Sequence, residues 1–125
     1  MGDHMHASET IGENLLKWAS EVDPSDYEAA RTYLSITHGP ANRSIVILKG
    51  EKVVERRAND ILRAVHLPPL PMTDPGVLGA LKDVLSGKPL SPVLIAYKDI
   101  ADGYHRVSLA YNLDPFDAVA VKIAN

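Results

Sequence analysis

Apolar positions along the chain fall into short blocks separated by proline, glycine and acidic stops, and the spacing inside each block predicts its element. Tyr27, Ala30, Tyr33 and Leu34 recur at helical spacing. Asp23-Pro24-Ser25-Asp26 opens that helix with an acidic cap and proline at the first helical position, and His38-Gly39-Pro40 closes it. Leu15, Leu16, Trp18 and Ala19 suggest a short helix before it, so residues 12–40 read as a helical hairpin. Ile45-Val46-Ile47-Leu48 fits either a strand or a buried helix, because four apolar residues carry no period. Lys52–Arg56 reads as a short strand, and Asn59 is placed to cap a helix through Ile61, Leu62 and Val65 that Leu67-Pro68-Pro69 stops. Asp74-Pro75 opens a helix with Val77, Leu78, Leu81, Val84 and Leu85 on one face, closed by Ser86-Gly87-Lys88-Pro89. Pro92–Tyr97 reads as a buried strand, Ala101-Asp102-Gly103 as a tight turn, His105–Tyr111 as a helix stopped by Asn112 and Asp114-Pro115, and Ala118–Ile123 as a terminal strand. Helices come first, then strands and helices interleave, which predicts an α+β domain with a small mixed sheet.

The chain has 125 residues, enough for one domain, read as 9–125. Residues 1–8 read as a cloning remnant, not a signal peptide, and carry His4 and His6. At 46% hydrophobic and 23% charged residues the composition excludes a disordered or fibrous chain. No apolar run reaches the ~18–20 residues that span a bilayer, so a membrane role is not expected. The absence of cysteine excludes thiol catalysis, thiolate metal sites and disulfides, and points to a cytoplasmic setting. Net charge is −3, whereas nucleic-acid binders are basic overall. The one basic stretch, around Glu55-Arg56-Arg57, has no interleaved aromatics and reads as a solvated face.

Chemistry concentrates at Asp102-Gly103-Tyr104-His105-Arg106, between a strand and a helix. Glycine permits the turn and close backbone approach by a ligand. The first turn of the next helix has unpaired N–H groups at the positive end of its dipole, and His105 and Arg106 add donors. Together they suit a phosphate or carboxylate. The same residues also fit a plain helix start, with Asp102 as turn or cap residue. His38, His66 and His105 lack ligand spacing, so no metal site is expected. Ser108 lacks a nucleophile elbow and reads as a packed helix residue. Trp18, Tyr27, Tyr33 and Leu34 form an apolar stripe that packs the first helices onto the sheet, or serves a homodimer if left exposed.

The turn and its continuation, Val107-Ser108-Leu109-Ala110, resemble the strand-to-helix phosphate motif of the ParB/sulfiredoxin-like superfamily. Residues 77–95, with a helix, a glycine turn and a proline-led apolar strand, resemble the stretch before it, and Ala58–Leu62 resembles an earlier strand-to-helix junction. The likeness covers about residues 52–123. It implies a nucleotide or other phosphorylated small molecule held by Gly103, Tyr104, His105 and Arg106, with His105 as the residue for any proton transfer and Mg²⁺ accompanying a nucleotide. The superfamily includes partition CTPases, sulfiredoxins, serine kinases and ParB-like nucleases. Tyr104 stands where sulfiredoxin chemistry needs cysteine, and His105-Arg106 stands where partition proteins carry an arginine pair. Glu51, Glu55 and Asp60 are the nearest acids by position for a kinase base. No clustered acids favour a nuclease. The alternative is a non-catalytic interaction or regulatory module. Relatives carry a hairpin before the glycine turn. With only Lys98-Asp99-Ile100 between Tyr97 and Ala101, that hairpin reads here either as cut short or as lacking a loop.

Overall fold

The computed structural model describes residues 15–125; residues 1–8 and the start of the predicted hairpin at residue 12 lie outside that range. Among the described residues, five helices surround a four-stranded mixed open sheet. In chain order the elements are α1 (Pro24–Thr37), α2 (Asn42–Gly50), β1 (Val54–Arg57), α3 (Ala58–Val65), α4 (Pro75–Leu85), β2 (Val93–Ala96), β3 (Asp99–Asp102), α5 (Tyr104–Leu113) and β4 (Ala118–Ala124). The sheet order is β1-β4-β2-β3. β4 is antiparallel to β1 and parallel to β2, and β2 is antiparallel to β3.

Both faces of the sheet are covered, and β2 shows why. Val93 and Ile95 enter a core with Ile61 and Leu62 of α3, Val77 of α4 and Leu109 of α5. Leu94 and Ala96, on the opposite side of the pleat, enter a second core with Ala30 and Leu34 of α1 and Ile45 and Leu48 of α2. All four residues of β2 are buried. The layers are therefore α3–α5, sheet, and α1–α2.

Two helix starts follow the predicted chemistry. Asp23 caps α1 by accepting from Ser25 N at 2.9 Å, and Asp74 caps α4 by accepting from Gly76 N at 2.9 Å and Val77 N at 3.1 Å. Other expectations are corrected. Trp18 and Ala19 are extended rather than helical. Ala19 N donates to the Leu90 carbonyl at 2.8 Å and Leu90 N to the Lys17 carbonyl at 2.7 Å, which adds a short parallel bridge. The aromatic stripe is divided: Trp18 packs on the first core, Tyr27 and Leu34 on the second, and Tyr33 donates its hydroxyl to Asp99 at 2.7 Å. Ile45–Leu48 is helical, with Ile45 and Leu48 buried and Val46 exposed. Asn59 lies inside α3, whose N-cap is Arg57 without a side-chain bond. The helix expected over His105–Tyr111 runs from Tyr104 to Leu113, through Asn112 and up to the Asp114-Pro115 stop.

The hairpin before the glycine turn is complete. Ala101 and Asp102 belong to β3, and the tight turn lies at Tyr97-Lys98, both at φ 56°. Two successive left-handed residues make the two-residue turn whose twist matches antiparallel strands. The first two helices hold it: Ser44 Oγ donates to the Tyr97 hydroxyl at 3.0 Å, the His38 ring stacks on Tyr97 at 4.8 Å, and His38 Nε2 lies 3.1 Å from Asp99 Oδ2.

Candidate functional site

β3 delivers the candidate turn to one end of the sheet. Its register against β2 shifts between Leu94, opposite Asp102, and Ile95, opposite Ile100. Ala101 is the extra residue of a bulge, and a bulge places two successive side chains on nearly the same side. Ala101 thus packs in the second core while Asp102 also turns toward α1.

Gly103 is the N-cap of α5 at φ 112°, and no side chain caps that helix. A Cβ there would sit 2.9 Å from Val93 Cγ2 and 3.0 Å from Arg106 Nη2, so glycine is required by both conformation and space. The first helical bond runs from Val107 N to the Gly103 carbonyl at 3.0 Å, and the amides of Tyr104, His105 and Arg106 precede it at the dipole's positive end.

The side chains are held in different ways. The Tyr104 hydroxyl donates to the Pro68 carbonyl, and burial, with Asp74 nearby, pushes its pKa up. Only its backbone amide is left for a ligand at the helix end. His105 is 55% exposed, with Nε2 3.5 Å from Asp74 Oδ2. Its ring lies over Gly76, where a Cβ would come within 2.3 Å of it. Arg106 turns inward: Nη2 lies 3.0 Å from Asp102 Oδ2 and 3.5 Å from Asp26 Oδ2, and reaches the Pro92 carbonyl at 3.3 Å. Arg106, Asp26 and Asp102 are each 18% exposed at the side chain.

Asp102 is therefore not a helix cap but a partner of Arg106. Burial pushes its pKa up, Arg106 opposes that, and Asp26 raises it further. Its proton is held more tightly in the folded than in the unfolded chain. Its ionisation consequently costs stability as pH rises from about 4 through the raised folded value, and this cost is absent at lower pH. Asp102→Asn removes that dependence. The melting temperature of the variant minus that of the wild type is expected to increase between about pH 4 and about pH 7. Parallel melting curves across that range would show that Asp102 is not held this way.

Asp26 and Asp74 are the acids that meet the turn, from helix starts 80 and 31 positions before Arg106 and His105, respectively. In the sequence they carry only the signal of acidic first turns and caps. Glu51, Glu55 and Asp60 are not among the groups contacting His105 or Arg106. Ser108 is fully buried, its Oγ accepting from Leu70 N at 3.0 Å. His38 and His105 bind separate carboxylates, and among the described residues no group of three or more His, Cys, Asp or Glu could hold a metal ion. No helix of the described residues is long and apolar enough to cross a membrane.

The fold and turn define an α+β domain with an uncapped, glycine-started helix at one sheet end. Comparison with models of protein families, with curated proteins and with solved structures finds no match to this chain.

Proposed function

We propose that this is a ParB/sulfiredoxin-like domain that binds a nucleotide or other phosphorylated small molecule at the Gly103 turn. The observation that carries the reading is the start of α5: a left-handed glycine and no side-chain cap, with a half-exposed histidine in the first turn. A phosphate oxygen on the amides of Tyr104, His105 and Arg106 replaces the missing cap and meets the dipole's positive end. His105 donates a further bond and is the group able to move a proton. Arg106 has a different part from the one its sequence position implies. Two carboxylates oppose its charge, so it holds the turn from beneath and contributes little net field to an anion.

The residues at the turn do not fit a resident divalent ion, because Asp26 and Asp102 are paired with a guanidinium that repels one. Mg²⁺ would arrive with a nucleotide's own phosphates. With no acid among the described residues free to serve as base beside Arg106, binding is favoured over phosphoryl transfer. The second reading, an interaction module in which the turn is architectural, draws on the same Asp26–Arg106–Asp102 cluster, which ties α1 to the turn without any ligand.

A thermal-shift screen of CTP, ATP, ADP and inorganic phosphate, with and without Mg²⁺, separates the two. Ligand at 100 times its dissociation constant stabilises by about 2.7 kcal/mol, a shift of several degrees. The expected result is a shift for wild type that His105→Ala sharply reduces while melting normally without ligand. No shift with any of the four would leave the turn as architecture.

A further inference from the structure

A second concavity lies at the other end of the sheet, a strand's length from Gly103, where the parallel strands β2 and β4 stop. It encloses about 710 Å³ between α2 and α3, within the roughly 300–1,000 Å³ of small-molecule sites. Its walls are apolar: Ile47 of α2, Ile61 and Val65 of α3, Ile95 of β2 and Ile123 of β4. Its fixed charges cancel, with Arg56 and Lys98 against Asp60 and the terminal carboxylate of Asn125. One polar pair interrupts the isoleucine lining. Ser44 and Tyr97 both border the cleft, and Ser44 Oγ donates to the Tyr97 hydroxyl at 3.0 Å. With Ser44 as its donor, that hydroxyl keeps its own proton to give, and among the described residues no acceptor takes it. The His38 ring, stacked on Tyr97 at 4.8 Å, holds the phenol in place.

We propose that this cleft binds an uncharged, largely hydrocarbon small molecule with one acceptor oxygen, an aliphatic ketone being the simplest of the class. Its chain lies against the isoleucine walls and its oxygen accepts from the Tyr97 hydroxyl. The walls supply the affinity, and the single free donor fixes which end of the ligand sits at the hairpin turn. A charged head group would lose water here and meet as many like charges as opposite ones, so its desolvation is not offset. The site shares no residue with the Gly103 turn and stands whether or not that turn binds phosphate.

Isothermal titration of the whole chain with methyl butyl, methyl pentyl and methyl hexyl ketone tests it. One molecule is expected to bind, with affinity rising about fourfold per added methylene. Octanoate and octylammonium should each bind at least roughly tenfold more weakly than methyl hexyl ketone. Tyr97→Phe keeps the stacked ring and removes only the hydroxyl, and should weaken that ketone roughly fivefold. Ala64→Trp fills the cleft from the exposed side of α3 and should abolish binding. Ile47→Glu, on the opposite wall, is the second blocking variant should Ala64→Trp melt abnormally. Either charged analogue binding as tightly as methyl hexyl ketone overturns the proposal. So does the absence of saturable binding of that ketone, full affinity in the Tyr97→Phe protein, or unchanged binding in a normally melting Ala64→Trp or Ile47→Glu protein.

Discussion

Replacing Arg106 with methionine is expected to destabilise the fold by about 3–5 kcal/mol, the cost of leaving buried carboxylates without their cation. Asp26 and Asp102 are both largely buried and both point at the one guanidinium. Methionine keeps most of the side chain's length and removes only its charge and donors. Urea denaturation at neutral pH measures the loss, and repeating it in acid identifies the cause. Once protonated, Asp102 no longer needs a counter-charge, so the deficit should shrink as pH falls. Adding Asp102→Asn to the variant should recover part of the loss, because the two residues share one network. A loss below about 1 kcal/mol, as for exposed ion pairs, would mean the cluster is solvated. This result also governs how the binding site is probed. Removing Arg106 unsettles the turn itself, so lost ligand binding in that variant would not separate recognition from folding. His105 reaches the same site from an exposed position.

Leu34→Ala is expected to cost about 2–5 kcal/mol. The second core is built largely from small residues, with Ala30, Ala41, Ala96, Ala101 and Ala124 letting α1 and α2 approach the sheet closely. Its bulk comes from Leu34, Ile45, Leu48 and Leu94, all fully buried. Truncating one of four such side chains leaves a cavity that neighbouring alanines cannot fill. The denaturant midpoint should fall with little change in slope. Amide exchange in α1 should rise more than in α5, since only α1 packs on this core. Equal acceleration in both helices would show that the two layers open as one unit.

What could be read from the sequence was local. Asp23-Pro24 and Asp74-Pro75 announce helix starts because cap and proline act within one turn. The buried strand at Val93–Ala96 is legible from its unbroken apolar run. Ile45–Leu48 was not, since the spacing that makes it a helix is a pattern of burial, Ile45 and Leu48 in and Val46 out, invisible among four apolar residues. The Tyr97-Lys98 turn contains none of the glycine or asparagine that usually marks left-handed pairs, so the sequence points to a tight turn at Ala101-Asp102-Gly103, where β3 ends, instead. Trp18 is extended because Leu90 pairs with it, and Arg106 faces inward because Asp26 and Asp102 do. Those partners lie 72 and 80 positions away for Trp18 and the Asp26 contact, respectively, beyond the reach of any local rule. For the candidate site, the glycine, histidine and helix start were legible, but the acids that occupy the arginine were not.

The place of β4 in the sheet has a consequence for how the chain is made. Residues 118–124 follow every other described element in the chain, yet they lie between β1 and β2 and bond to both. Until they leave the ribosome, β1 has no neighbour and the β2–β3 hairpin is an isolated ribbon. Two-stranded ribbons are marginal alone in water. The helices can form as they emerge, but the layered core waits for the final strand. Folding of this domain therefore waits on β4. Its β1–β4 pairing, Val54 with Val121, closes a long loop, the kind of step that slows folding and leaves apolar surface uncovered meanwhile.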